Sequence, residues 1–249
     1  MVELVDLIRE EHPGCGIEKM YHILNPQQIG RDKFVSILME RGYRVRKVKN
    51  YSKTTYSTKT TYKNLIQGML LWDKNQLWQS DITYFRLKDE CAYIVFIIDV
   101  YTKKVIGYQA SDHQRATANI KTLKMAFSKA GEIPRGMIHH SDRRSQYRCL
   151  KYVKLLKDRG IWISMGLKGM DNAYAERING IIKNEYLNYW HIEDLPTLKR
   201  RLKKAVNNYN THRIHNSLSG KQTPSEFENK LLNLPYQKRH FWLMFVRLK

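Results

Sequence analysis

Near its start the chain carries apolar residues at helical spacing. Val2, Val5, Leu7 and Ile8 form one stripe, ended by His12-Pro13-Gly14. Gly16 to Leu24, with Met20, Ile23 and Leu24 apolar, predicts a second helix closed by Asn25-Pro26. Phe34, Ile37, Leu38 and Arg41 share a face in a third, opened by Asp32 and stopped at Gly42. Three short helices with tight turns predict a helix-turn-helix-like region over residues 1–45, with a plain helical bundle as the alternative. Over 46–67 the period disappears. Tyr51, Tyr56 and Tyr62 punctuate a Ser/Thr-rich run, which predicts an extended linker.

From residue 68 the pattern changes to runs of β-branched and aromatic residues. Leu77–Leu87, Cys91–Tyr101 and Lys104–Ala110 predict an antiparallel three-stranded meander. A helix follows from Gln114 to Ala130, with Ala116, Ile120, Leu123 and Phe127 on one face and Gly131 as its stop. Gly136–His140 predicts a fourth strand, Gln146–Arg159 a helix, Ile161–Ser164 a fifth strand and Asn172–Tyr186 a further helix. This order defines an α/β domain with a mixed sheet over 68–190, followed by a basic helical region over 191–249.

Charge narrows the function. The 249 residues include 44 Lys and Arg against 23 Asp and Glu, a net charge of +21, while 42% hydrophobic content excludes wholesale disorder. Between Arg41 and Lys63 there are eight basic residues and no acidic one, among them Arg46, Lys47 and Lys49. A second cluster, Lys199, Arg200, Arg201, Lys203 and Lys204, lies on a helix beginning near Pro196. Both suit phosphate contact and point to a nucleic acid; a basic structural protein is the bland alternative. Cys15, Cys91 and Cys149 are too scattered for a disulfide framework or zinc site. The longest apolar stretch, Tyr93 to Ile98, is too short to span a bilayer, and no signal-peptide pattern opens the chain, so a reducing cytoplasmic compartment is expected.

Three carboxylates stand out. Asp81 lies inside a strand, where Asp is depleted; an edge or turn position is its ordinary meaning. Asp142 follows the fourth strand, where α/β sheets build sites, although capping a turn explains it equally well. Glu176 opens a polar helical stripe with Asn179 and Lys183, a position usually solvated. Together the three are more informative. Carboxylates converging from two strands and a helix cannot all remain ionised without cations, and hard oxygen ligands suit Mg²⁺ or Mn²⁺. Two such ions serve phosphoryl transfer, here on DNA or RNA. His212 and His215 lack metal-ligating company and are read with Arg213 as facing DNA; His139 and His140 are read as strand-end packing or support.

The stretches Leu77-Trp78-Gln79-Ser80-Asp81-Ile82-Thr83-Tyr84, His140-Ser141-Asp142-Arg143-Arg144-Ser145-Gln146-Tyr147 and Asp171-Asn172-Ala173-Tyr174-Ala175-Glu176-Arg177 resemble the DDE transposases of bacterial insertion sequences, of the second-frame (OrfB) type, with a retroviral-integrase-like core. Ile98 to Tyr108, Ser164-Met165, and the tail from Tyr209 through Asn216-Ser217-Leu218 to Phe227 extend the resemblance over about residues 10–230. It implies a ribonuclease H-like core in which Asp81, Asp142 and Glu176 bind two Mg²⁺ (or Mn²⁺) ions. It also implies hydrolytic nicking at element ends, then attack of a 3′-hydroxyl on target DNA without a covalent enzyme intermediate. Lys183, Arg177, Arg46, Lys47, Lys49, Arg200, Arg201, Lys204 and Arg213 are expected on DNA, with Asn179 orienting the substrate. The implied partners are element ends and target DNA, further copies in an oligomer, and a first-frame DNA-binding partner or fusion. Two departures from the pattern are Arg144, where most relatives have Gly, and a shortened loop at Lys168–Asp171; a Gly there can take a turn conformation costly for Arg. An inactive DNA-binding remnant or a regulator of transposition is the rival reading.

Overall fold

A computed structural model describes residues 2–45, 62–166 and 169–244; Arg46, Lys47, Lys49, most of the expected linker and part of the shortened loop lie outside them. The chain divides by packing into two units: residues 1–54 with Gly180–His191, and residues 55–179 with 192–249.

In the first unit, α1 (Val2–Glu11), α2 (Ile17–Leu24) and α3 (Arg31–Glu40) enclose Val5, Ile17, Met20, Phe34 and Leu38. Of the stripes read from the sequence, Val5, Met20, Phe34 and Leu38 therefore face one another, whereas Leu7, Ile23 and Arg41 are exposed. The stretch from residue 180 to 191 packs with these helices, whereas the sequence segments assign residues 180–190 to the catalytic core and His191 to the C-terminal region. Gly14 makes that packing possible. Its N–H donates to the Glu185 carbonyl (2.8 Å), and a Cβ there would stand 2.3 Å from Glu185 Cα. Lys19 pairs with the Glu185 carboxylate at 3.3 Å.

The second unit is built on a mixed five-stranded sheet. Its strands are β2 (Leu77–Arg86), β3 (Cys91–Asp99), β4 (Val105–Ser111), β5 (Ile138–Ser141) and β6 (Trp162–Met165), in the order β4-β3-β2-β5-β6. The meander β2-β3-β4 is antiparallel; β5 runs parallel to both β2 and β6. Helix α4 (Ala116–Ala130) lies close on β4. Gly107 permits the approach, since a Cβ would meet the Thr122 carbonyl at 2.5 Å. Helix α5 (Leu150–Lys157) links β5 to β6, and α6 (Ala173–Glu185) follows.

Alternation along β2 sorts its side chains between two environments. Trp78 and Ile82 join Val95, Ile97, Leu123 and Leu156 in the main core. On the opposite face Gln79 and Asp81 meet α6. The helix expected from Gln146 starts later. Residues Ser145–Arg148 form a tighter 3-10 turn, because buried Tyr147 is held by a 2.9 Å hydrogen bond between its hydroxyl and Ser80 Oγ; Cys149 then breaks the path before α5.

Two elements leave no local signature in the sequence. A two-stranded antiparallel ribbon pairs β1 (Leu70–Leu71) with β7 (Trp242–Leu243), extended by Gly68 N–H to Met244 carbonyl (3.2 Å) and Met244 N–H to Met69 carbonyl (2.7 Å). Helices α7 (Leu195–Thr211) and α8 (Pro224–Leu232) complete the unit, α7 capped by Asp194 and α8 by a reciprocal Thr223–Glu226 box.

Candidate active site

Strand register brings Asp81 and Asp142 together. Ser80 pairs with Ser141 in the last step of the parallel β2–β5 ladder, so the next residues, Asp81 and Asp142, leave it abreast. Neighbouring strands are about 4.8 Å apart. Asp81 is interior to β2 only because its antiparallel partner β3 continues opposite, pairing Asp81 with Phe96. A mid-strand Asp on one side is thus a strand-end Asp on the other.

The helix supplies the remaining groups. Asn179 Nδ2 donates to Asp81 Oδ2 at 2.6 Å, and Glu176 stands one turn earlier, in the first turn of α6. Its side chain is exposed. Arg144 closes the other side. Its backbone N–H donates to Asp142 Oδ1 (3.1 Å), Nε lies 2.9 Å from Asp142 Oδ2, and Nη1 donates to the Ile82 carbonyl at 2.7 Å. Arg144 takes φ −61° and ψ 146°, an ordinary extended conformation, so the expected turn cost of Arg at this position is absent.

Electrostatics ties the three carboxylates together. Burial, then the neighbouring Asp142 charge and more weakly Glu176, push the Asp81 carboxyl up to about 7, against the pull of Arg144. Burial also raises Asp142, opposed by Arg144. Glu176 is raised by burial and by Asp142. Among the described residues, no three His, Cys, Asp or Glu side chains stand close enough to hold a metal ion as arranged; Arg144 engages Asp142, Asn179 engages Asp81 and Glu176 is exposed. The donor set nevertheless fits a hard divalent cation. It is all oxygen, its charges repel, and Asn179 Oδ1 is buried without a hydrogen-bond partner.

The other expected site residues distribute unevenly. Arg177 is exposed beside Glu176; Lys183 belongs to the other packing unit. On α7, Arg200 is exposed opposite the buried stripe of Leu198, Leu202 and Tyr209, while Arg201 and Lys204 are half-buried. Arg213 stacks over the Tyr209 ring (5.8 Å) and reaches His215 Nε2 at 3.2 Å. His215 itself is buried, which removes it from a DNA-facing surface. His139 and His140 are buried inside the sheet, bonded to Tyr152 (2.9 Å) and Ser164 (2.8 Å), and act as packing groups.

Sequence reading passed over Gln79, Asn172, Asp99 and Lys103. Gln79 carried a signal: it is an amide two residues before Asp81, hence on the same strand face. Asp99 accepts from Thr102 N–H and Oγ1 and from Asn75 N–H, each at 2.7 Å. Lys103 is buried in the left-handed conformation (φ 62°), its ammonium bonded to the Val100 carbonyl and flanked by the rings of Tyr174 (4.0 Å) and Trp242 (3.9 Å).

Comparison with known proteins identifies the fold and the family. Residues 73–170 match the family model described as integrase core domain, and residues 161–224 match a second model of that description. The catalytic core domain of HTLV-2 integrase, solved in complex with magnesium, superposes with a TM-score of 0.52 at 20% identity, over 67% of this chain and 99% of that one. The fold is therefore that of an integrase catalytic core. Transposase InsF of insertion sequence IS3A from Escherichia coli (strain K12) is 30% identical over 78% of this chain and 69% of its own length. A 31 kDa protein of insertion element IS600 from Shigella sonnei is 30% identical over 81% and 76%. The chain belongs to the transposases of bacterial insertion sequences, polynucleotidyl transferases built on an integrase core.

Proposed function

We propose that Asp81, Asp142 and Glu176 are the catalytic carboxylates of this transposase and hold two divalent cations, Mg²⁺ or Mn²⁺. The observation that carries the assignment is the parallel register, which sets Asp81 and Asp142 abreast beyond Ser80 and Ser141. Bound there, such ions would activate an attacking oxygen and stabilise the leaving one in phosphoryl transfer. The chain's own residues do the remainder. Asn179 fixes the rotamer of Asp81 through its 2.6 Å bond. Arg144, paired with Asp142 at 2.9 Å, would have to release it for that carboxylate to take a cation. Glu176, exposed on the first turn of α6, would turn inward to complete the set. Arg177, Lys183 and the basic face of α7 bind the DNA backbone, Arg200 foremost because it is exposed.

The reaction sequence is hydrolytic nicking at the element ends, then attack of the freed 3′-hydroxyl on a target phosphodiester. The working form is an oligomer on paired DNA ends, assisted by a first-frame DNA-binding partner or fusion. Among the described residues no helix is long and apolar enough to cross a membrane.

Nicking of supercoiled plasmid in Mn²⁺ tests this assignment, comparing wild type with Asp81→Asn and Glu176→Gln. Nicking is expected in the wild type and in neither variant, all three binding DNA alike in EDTA. Equal nicking by all three would move the site elsewhere. A folded wild type that binds DNA and never nicks would leave a DNA-binding member of the family without cleavage activity.

A further inference from the structure

Gln79 is fully buried in β2, yet it is not apolar. Its amide is spent at both ends on the start of α6: Oε1 accepts from the Ala175 N–H at 3.2 Å, and Nε2 donates to the Asp171 carbonyl at 3.3 Å. The first N–H groups of a helix have no partner within it, so Gln79 caps α6 from a neighbouring strand. Asn172 immediately precedes the helix, where Asn ordinarily caps its own first turn. Here its Nδ2 instead donates to the Ser80 carbonyl at 3.0 Å, in a buried bond. Two adjacent residues of β2 are thus linked by three hydrogen bonds to residues 171, 172 and 175, directly flanked by Asp81 on the strand and Glu176 on the helix. A buried amide costs stability unless bonded, and a leucine would fill the same core position without that demand. The arrangement makes sense as a device that fixes distance.

We propose that Gln79 and Asn172 are positioning residues that hold the first turn of α6 in register with β2, and so set Glu176 against Asp81 and Asp142 for metal binding. The inference rests on the proposed assignment of those carboxylates. Neither amide touches the reacting atoms; both act through Glu176.

The test is Mn²⁺ binding by the full chain on a plain DNA duplex, read as free Mn²⁺ by electron paramagnetic resonance, with melting temperature and DNA affinity in EDTA measured alongside. Gln79→Leu and Asn172→Ala are expected to weaken Mn²⁺ binding by about 10–100-fold, the usual effect of removing a group that orients a metal ligand. DNA affinity in EDTA should not change. Adding Gln79→Leu to Glu176→Gln should weaken binding no further, because the ligand it positions is already gone. Wild-type Mn²⁺ affinity in folded Gln79→Leu overturns the proposal, as does a loss that adds in full to that of Glu176→Gln. If Gln79→Leu does not fold, Asn172→Ala, which removes a single bond, decides by the same criteria. Unchanged Mn²⁺ binding in Asp81→Asn and Glu176→Gln themselves would instead sink the site assignment, and the brace with it.

Discussion

Asp81 and Asp99 lie on adjacent strands of one sheet, and burial raises both carboxyls. Their surroundings differ in kind. Asp99 is enclosed by three donors: the Thr102 N–H and hydroxyl, which hold the turn from β3 to β4, and the Asn75 N–H, which ties in the segment before β2. Asp81 accepts one side-chain hydrogen bond, from Asn179, and faces two further carboxylates. A buried charge surrounded by donors is a structural fastening. A charge surrounded by like charges is tolerable only when a cation or a proton joins it, and that dependence suits it to catalysis.

The largest effect expected from breaking this contrast is functional. Asp81→Asn should reduce plasmid nicking to background while leaving the melting temperature in EDTA unchanged or higher, because a repelled charge is removed. Asp99→Ala should do the opposite to the fold. Leaving two backbone N–H groups unpaired costs about 2–6 kcal/mol, measurable by urea denaturation in EDTA. Equal destabilisation by the two substitutions would erase the distinction.

The smallest expected effect concerns the cation nearest Asp99. Burial lowers the Lys103 amine to about 7, with Asp99 opposing the shift. Above that pH the unfolded chain binds the proton and the folded chain releases it, so this group makes stability rise from pH 7 to 9, by at most about 1.4 kcal/mol per unit. Its contribution is lost as the pH falls toward 7. Lys103→Met should flatten that slope in urea titrations at successive pH values; an unaltered slope would assign it to other groups.

Much of this was legible in the sequence, and the reasons are local. The alternation Trp78, Ser80, Ile82 marks a strand with one core face, and β2, β3, β4 and β6 each carry several apolar residues, whereas β5 holds only Ile138 beside two histidines and a serine. Asp81 and Asp142 could be singled out, but their alignment depends on a pairing between segments about sixty residues apart, which no local period encodes. The β1–β7 ribbon joins two dipeptides from distant parts of the chain and leaves no periodic trace. Tyr147 shows a tertiary bond overriding local winding, since its contact with Ser80 replaces the first expected helical turn. Lys103 defied the ordinary preference of lysine for solvent because two aromatic rings and a carbonyl enclose its charge.

The β1–β7 ribbon also has a mechanical meaning. Residues 68 and 244 meet at the same end of the antiparallel pair. Tension drawing the chain apart at that point loads the ribbon's hydrogen bonds one after another, as a zip opens, whereas sliding one strand along the other would strain them all at once. Peeling of the C-terminal strand would begin at Met244, which is buried in the same core as Leu71. The five-stranded sheet that carries Asp81 and Asp142 need not yield with it.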